Sequence, residues 1–211
     1  AIPMAADTGP IGGNLSHEFI ILADTGESKI YTDKRIFEVN SDNTKLEKNS
    51  LNKLRDEFKK FYSVTDEKYN ENEFNDKVPE EFRLKTKGIE VGHIFYFADK
   101  YSMPMKSSVD FHGKKEFVKM GSYGVGVSRL VGAIIEAKYD DKKEIMKWPQ
   151  SISPYDCAII PLVTKADKKN LEKAINLSNK LKENKIDYLI DDSEESLSAK
   201  IKKFNLIGIP T

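Results

Sequence analysis

Several features that would narrow the function of a protein are scarce in this 211-residue sequence, which has one cysteine, three histidines and no net formal charge. A single cysteine, Cys157, excludes an internal disulfide and favours a reducing, cytoplasmic compartment. No run approaches the ~18 apolar residues that a membrane-spanning helix needs, so no membrane role is expected. Equal numbers of basic and acidic residues exclude a global field for nucleic acid, although a local basic patch would be enough to bind it.

Apolar residues make up 39% of the sequence and aromatic residues 10%, which allows one large domain or two small ones with a buried core. Both ends look cut. Ala1 leads into "AIPMAADTGPIGG" without a preceding element, and the apolar pattern "FNLIGIPT" stops abruptly, whereas natural termini are usually polar and frayed. The sequence therefore predicts a fragment.

Residues 1–150 predict one domain in which strands and helices are mixed. The Gly-rich loop 7–17 precedes "EFIILAD" (18–24), a continuous apolar run typical of a buried strand, and "EVGHIFYF" predicts a second strand. "VGVSRLVGAIIEAKY" predicts a helix that is apolar on nearly all sides, and we expect it to be buried.

Residues 41–87 differ in composition, because they are rich in Lys, Glu, Asn and Asp. Five apolar residues at 3-4-3 spacing predict an amphipathic surface helix: Leu51, Leu54, Phe58, Phe61 and Tyr62. The polar stretch 63–80 is expected to be partly disordered. We predict a helical surface excursion that has no pocket of its own.

"KWPQSISPYD" (147–156) has the composition of a linker, and the pattern then changes to alternating strands and helices. "CAIIPLV", "IDYLIDD" and "LIGIPT" predict strands, separated by helices at "ADKKNLEKAINLSNKLKEN" and "SLSAKIKKFN". This β-α-β-α-β order predicts a parallel sheet in a small α/β domain that begins near residue 150.

The segment "GSYGVGVSR" (121–129) invites comparison with two phosphate-binding motifs. The dinucleotide fingerprint G-x-G-x-x-G fits poorly, because Arg129 stands where the third glycine belongs and no βαβ unit follows in this domain. The P-loop pattern fails, because Val127 replaces its lysine. A third reading is structural: the glycines only let a strand meet a helix closely.

The structural reading does not explain Arg129, which lies in the first turn of an otherwise apolar helix. A guanidinium there needs a partner, either a carboxylate or an anionic ligand, because an unpaired buried charge is costly. Free backbone amides and the positive end of the helix dipole favour an anion at this position. Arginine also suits bidentate binding of a phosphate.

"MGSYGVGVSRLVGAIIE" resembles motif 3 of the class II aminoacyl-tRNA synthetases. "ADTGPIGGNLSHEF" and "EVGHIFYFADKYS" narrow the resemblance to the bacterial-type prolyl-tRNA synthetases, and "WPQSISPYDCAIIPL" resembles the junction into their anticodon-binding domain. The resemblance covers nearly the whole chain except residues 41–87. It implies an α+β fold: part of the class II antiparallel sheet with flanking helices in residues 1–150, then a truncated α/β anticodon-binding domain in residues 151–211.

The resemblance also implies a reaction and its substrates. Proline is activated with ATP to prolyl-adenylate, assisted by Mg²⁺, and is then transferred to tRNA(Pro) by an enzyme that is a homodimer when complete. Arg129 would bind the γ-phosphate and Glu18 would face the catalytic cleft. Gly124 and Gly126 would line the ATP site, and the proline pocket would be formed by His93, Gly121, Ser122 and Gly124. Ser122 departs from a cysteine that many relatives carry.

The sequence departs from the family pattern in two ways, both of which concern segments that this sequence lacks. Residues 34–87 are too few for the large editing domain of many bacterial relatives, so hydrolysis of mischarged alanyl-tRNA within this chain is not expected. Motifs 1 and 2 of the class would precede Ala1, and we therefore expect the fragment alone to be inactive.

Rival interpretations remain open at this stage. His93 is also consistent with a core histidine whose ring nitrogens are hydrogen-bonded. Glu18 is consistent with a residue that only caps the glycine loop, and Cys157 with a buried inert thiol. His17 and His112 have no metal-ligand partners at useful spacing, so no metal site is assigned. A non-catalytic synthetase-like paralogue that binds tRNA or a regulatory partner is the main alternative, and an unrelated nucleotide-binding module is a third.

Overall fold

The computed structural model describes residues 1–41, 44–162 and 169–211, which form two compact units, Ala1–Ala133 and Ile134–Thr211. The domain boundary that the change of sequence pattern predicts near residue 150 stays a prediction. The described residues of the first unit form eight strands: β1 Ile2–Ala5, β2 Leu15–Leu22, β3 Ser28–Asp33, β4 Ser63–Thr65, β5 Arg83–Ala98, β6 Ser108–Phe111, β7 Lys114–Phe117 and β8 Met120–Val125. Its helices are α1 Lys48–Phe58, α2 Glu71–Lys77 and the start of α3 Val127–Lys138.

Five strands of the first unit pair in a closed circuit in the order β1-β2-β5-β3-β4. Of these pairings only β1–β4 is parallel. The circuit is possible because β5 is long: its first half pairs with β3 and its second half with β2. Met4, Ile20 and Ile30 are fully buried inside it, since alternate residues of each strand point inward.

The prediction of partial disorder for 63–80 is wrong. Strand β4 is buried within the sheet, and Tyr62, Val64, Phe74 and Val78 form a core cluster with α2. Each short element contributes only one or two apolar residues, so the local composition stays polar. The partners of these residues lie far away in the sequence, as in the pairing of Val64 with both Ala5 and Tyr31.

The expectation that α3 is buried on nearly all sides is also wrong for the residues that the structure describes. Only Ala133 is buried, while Val127, Val131 and Ile135 are 74%, 50% and 42% exposed. The apolar residues of α3 lie on several faces of the helix, as in a helix that packs against other elements on all of those faces. The described residues pack against only one face. Strand β8, which leads into α3, is equally open: Tyr123 is 86% exposed.

The described strands and α-helices of the second unit, after the end of α3, are β9 Tyr139–Asp140, β10 Ile145–Met146, β11 Cys157–Ile159, α4 Lys169–Glu183, β12 Tyr188–Ile190 and α5 Leu197–Ile207. The predicted parallel pairing is confirmed, because Cys157 lies opposite Tyr188 in a parallel β11–β12 pair. The first residues of the predicted helix 166–184 and the end of "CAIIPLV" lie outside the described residues.

The strand predicted for "LIGIPT" (206–211) is wrong for the residues that the structure describes. Helix α5 continues through Leu206 and Ile207, and Gly208 ends it with a left-handed conformation (φ 81°) that favours glycine. No strand is assigned to the described residues that follow it, although the amide of Ala158 on β11 donates to the carbonyl of Thr211 at 2.7 Å. No described helix is both long and apolar enough to cross a membrane.

Candidate functional site

Three of the predicted site residues form a row across adjacent strands. Glu18 on β2 lies opposite His93 on β5, and His93 lies opposite Gly124 on β8. One step along the sheet, Phe95 lies opposite Ser122 and Tyr96 opposite Gly121. The motifs "SHEF", "GHIF" and "GSYGVG" are therefore brought together because β5 pairs with β2 on one edge and β8 on the other.

His93 is held from both ring nitrogens. Its Nδ1 lies 3.2 Å from Oε1 of Glu90 and 4.0 Å from Oε1 of Glu18, and its Nε2 lies 2.6 Å from the hydroxyl of buried Ser16. An ionised carboxylate only accepts hydrogen bonds, so Nδ1–H donates to Glu90. In the neutral ring, Nε2 then accepts from Ser16. These two contacts fix the orientation of the imidazole. The ring also stacks on Phe95, with the two ring centroids 4.0 Å apart.

Glu18 is largely buried, and its pKa is raised to about 7. Burial is the main cause, and the negative charges of Glu90, Glu67 and Glu27 add to it. A carboxyl group poised near neutrality beside a histidine is a common feature of functional sites. The pKa of the neighbouring residue His17 is lowered, because burial and the positive charge of Lys59 disfavour the protonated imidazole.

Arg129 is half exposed and contacts two carboxylates that are themselves open to solvent. Its Nη1 donates to the carbonyl of Glu90 at 2.9 Å and lies 3.4 Å from Oε1 of Glu27 and 3.6 Å from Oε2 of Glu90. These distances are longer than those of a tight ion pair. A more highly charged anion could therefore displace both carboxylates from the guanidinium.

The glycines of β8 and Gly126, which follows the strand, differ in what an added side chain would contact. A Cβ at Gly124 would have no described atom within 4 Å, so its backbone is open to a ligand. At Gly121 a Cβ would lie 2.9 Å from the carbonyl of Phe95, and at Gly126 it would lie 3.2 Å from Cβ of Arg129. A Cβ at Gly121 would therefore force the backbone of β5 to shift, whereas a Cβ at Gly126 would only crowd the side chain of Arg129.

Glu90, Ser16 and Glu27 were missed by the sequence reasoning. Glu90 divides its two oxygens between His93 and Arg129, so it connects the predicted proline pocket to the predicted γ-phosphate ligand. Its position in "GIEVGHIF", three residues before His93, was the only signal. Along a regular strand that spacing places two residues on opposite faces, and an irregularity in the β2–β5 register near Glu90 allows the contact.

Glu18, Glu90 and His93 offer metal-ligating atoms within 4.8 Å of one another. This donor set does not fit Mg²⁺, which prefers oxygen ligands in octahedral geometry, whereas one donor here is an imidazole nitrogen and Glu90 already contacts His93 and Arg129. No chemical step is therefore assigned to a metal held by these side chains.

The fold is similar to that of solved aminoacyl-tRNA synthetases, and the end of the chain matches an anticodon-binding domain. The family described as "Anticodon binding domain" matches residues 156–211. The crystal structure of a prolyl-tRNA synthetase from Cryptosporidium parvum, complexed with L-proline and AMP, superimposes with a TM-score of 0.50 over 58% of this chain and 25% of that chain. At 19% identity this likeness concerns the fold alone.

The chain is similar over its whole length to proline–tRNA ligases. It is 66% identical over 211 residues to the Proline–tRNA ligase of Pelagibacter ubique and 47% identical over 216 aligned positions to that of Bartonella tribocorum. The resemblance to prolyl-tRNA synthetases that the motifs carry is thereby confirmed. The chain spans about half the length of these relatives, 48% in both cases.

Proposed function

We propose that this chain forms part of an enzyme that joins proline to tRNA(Pro) through prolyl-adenylate. The 66% identity to a Proline–tRNA ligase over the whole chain carries the proposal. The site geometry supports it as well, because Glu18 and His93 lie on the neighbouring strands β2 and β5, and Arg129, in the first turn of α3, contacts Glu90 of β5. The finer assignments below rest on that geometry.

Activation requires a carboxylate oxygen of proline to attack the α-phosphorus of ATP, with pyrophosphate as the leaving group. Arg129 binds the γ-phosphate, and the phosphate takes the place of Glu27 and Glu90 on the guanidinium. Gly126 leaves room for the arginine, and the open backbone of Gly124 borders the nucleotide. Catalysis consists mostly of positioning and charge stabilisation.

The proline pocket is bordered by His93, Gly121, Ser122 and Gly124, and Glu18 faces the same space. Glu18 stabilises the positive charge of the proline imino group when it is ionised. Its raised pKa makes that interaction stronger as pH rises through neutrality. Ser16 and Glu90 hold the imidazole of His93 in one orientation.

Other parts of the proposal concern the complete protein. The reaction takes place in the cytoplasm, Mg²⁺ enters with the ATP phosphates, and the functional enzyme is a homodimer. Residues 34–87 replace the editing domain without its hydrolytic activity, and residues 151–211 contribute to anticodon binding. The isolated 211-residue chain is inactive, since about half of a relative's length is needed in addition.

A hybrid ligase tests the proposal. It consists of the Pelagibacter ubique Proline–tRNA ligase in which the matched segment is replaced by this chain. We expect it to charge a tRNA(Pro) transcript with proline at a rate close to that of the parent ligase. A hybrid that folds and melts like the parent but charges no tRNA would contradict the proposal and would favour a non-catalytic paralogue that binds tRNA or a partner.

A further inference from the structure

Three exposed lysines lie on one face of β3 and β5 without an acidic partner. Lys29 of β3 lies directly opposite Lys87 of β5, and Tyr31 lies opposite Lys85 one step further along the same face. Among the described residues, no carboxylate is within ion-pair distance of these three ammonium groups. We call Lys29, Lys85 and Lys87 the basic face.

Like charges directly opposite each other in an antiparallel pair destabilise a sheet. Two other exposed lysines of the same unit do have an acidic partner: Lys60 lies 2.6 Å from Glu57, and Lys77 lies 2.6 Å from Glu73. The pair formed by Lys29 and Lys87 has no such compensation. An arrangement that costs stability in the free protein is explained if an anion neutralises it in a complex.

Lys85 is supported by aromatic rings and not by an acid. Its Nζ lies 5.3 Å from the ring centroid of Tyr69 and 5.9 Å from that of Tyr31. The two tyrosine rings stack on each other, with their centroids 3.6 Å apart. The carboxylate of Asp66 accepts a hydrogen bond from the hydroxyl of Tyr31 at 2.9 Å and forms no ion pair with Lys85 among the described residues. The ammonium group of Lys85 thus keeps its charge available.

We propose that the basic face binds the phosphate backbone of tRNA. Successive positions on one face of a strand are ~6.6 Å apart, which is comparable with the separation of neighbouring phosphates in an RNA strand. Lysines act on phosphates as point charges, so the contact adds affinity without reading bases. The inference rests on the proposed function, since it takes tRNA as the substrate.

The hybrid ligase provides the test, with K29Q/K87Q as the variant and K48Q/K53Q as the control. Lys48 and Lys53 are exposed on α1, so the control loses the same charge from another surface. The measurement is the dissociation constant of a tRNA(Pro) transcript between 50 and 200 mM salt. We expect the slope of log K against log salt to fall by about 1–2 for K29Q/K87Q and to stay unchanged for the control.

Two further readouts separate this inference from the proposed function. Proline-dependent pyrophosphate exchange needs no tRNA and is expected to remain at the level of the unmodified hybrid in K29Q/K87Q. The free variant is expected to melt at a slightly higher temperature, because the opposed charges are gone. An unchanged salt slope, or an equal change in the control, would overturn the inference; an acidic protein partner would then be the alternative. A hybrid without any exchange would contradict the proposed function itself.

Discussion

Glu90 joins two residues that the sequence motifs treat separately. One carboxylate oxygen contacts His93 at 3.2 Å and the other lies 3.6 Å from Arg129. Sequence reasoning identified the outer members of this group because motifs preserve residue types at fixed spacing. It missed the middle member because a strand irregularity, which no local pattern reveals, brings Glu90 to the site.

At Arg129 we expect the change to Met to lower proline-dependent pyrophosphate exchange of the hybrid ligase by ~10²–10³, because one preorganised charge contact to the phosphates is lost. Arg55→Met is the matched control, since Arg55 is exposed on α1 and forms an ion pair with the neighbouring Asp56. Equal rates for the two variants would show that Arg129 does not contact the nucleotide.

At Glu18 the raised pKa predicts how stability depends on pH. The folded pKa of about 7 exceeds the unfolded value of ~4.3, so the folded chain binds more protons than the unfolded chain between these values. Stability contributed by this group is therefore present at pH 4 and is lost as pH rises through 7. Glu18→Gln removes this loss.

We expect Glu18→Gln to raise the melting temperature of the 211-residue chain at pH 8 more than at pH 5. Thermal unfolding followed by circular dichroism at both pH values measures this difference. Glu136→Gln serves as the control, since Glu136 is exposed on α3. If Glu18→Gln gave the same shift at both pH values, the carboxyl group would have an ordinary pKa.

Among the elements, the segment from β4 to α2 shows most clearly where sequence patterns fail. The amphipathic pattern correctly predicted α1, although the observed helix, Lys48–Phe58, begins and ends earlier than the apolar spacing suggests. The polar stretch that follows was expected to be disordered, yet Phe74 and Val78 are almost completely buried. Their burial depends on β1 and β3, which a local window does not contain.

Phe74→Ala tests whether this segment is part of the folded unit. We expect it to lower the free energy of unfolding of the chain by about 3–5 kcal/mol, because a fully buried aromatic side chain leaves a cavity. Phe37→Ala is the control, since Phe37 is 43% exposed. Urea denaturation measures both, and a loss for Phe74→Ala no larger than the control would mean that the segment does not contribute to the core.

For the whole molecule, the apolar faces of β8 and α3 have no cover among the described residues. Tyr123, Val125 and Val127 are all more than half exposed, which is unusual for neighbouring apolar residues. The apolar pattern of α3 predicted burial, which is wrong for the described residues. An exposed apolar surface of this extent usually marks an interaction site. The pattern could not reveal that the described residues do not cover this surface.

We therefore expect the isolated chain to self-associate and to bind the fluorescent dye ANS. V131K/I135K is expected to reduce both properties, because it places charges on the exposed apolar side of α3. Sedimentation velocity and dye fluorescence measure the change, with K48Q/K53Q as a control on α1. Equal self-association of V131K/I135K and the unmodified chain would show that α3 is not the interacting surface.

Proline-dependent exchange of pyrophosphate into ATP is the most direct test that these residues supply one side of a proline-activating site. The assay compares the 211-residue chain, the hybrid ligase and the parent ligase. We predict exchange near the parent rate in the hybrid and none above background in the isolated chain. A folded hybrid without exchange would contradict the assignment of Arg129, Glu18 and His93 to this chemistry, and full exchange by the isolated chain would contradict the claim that the site is incomplete.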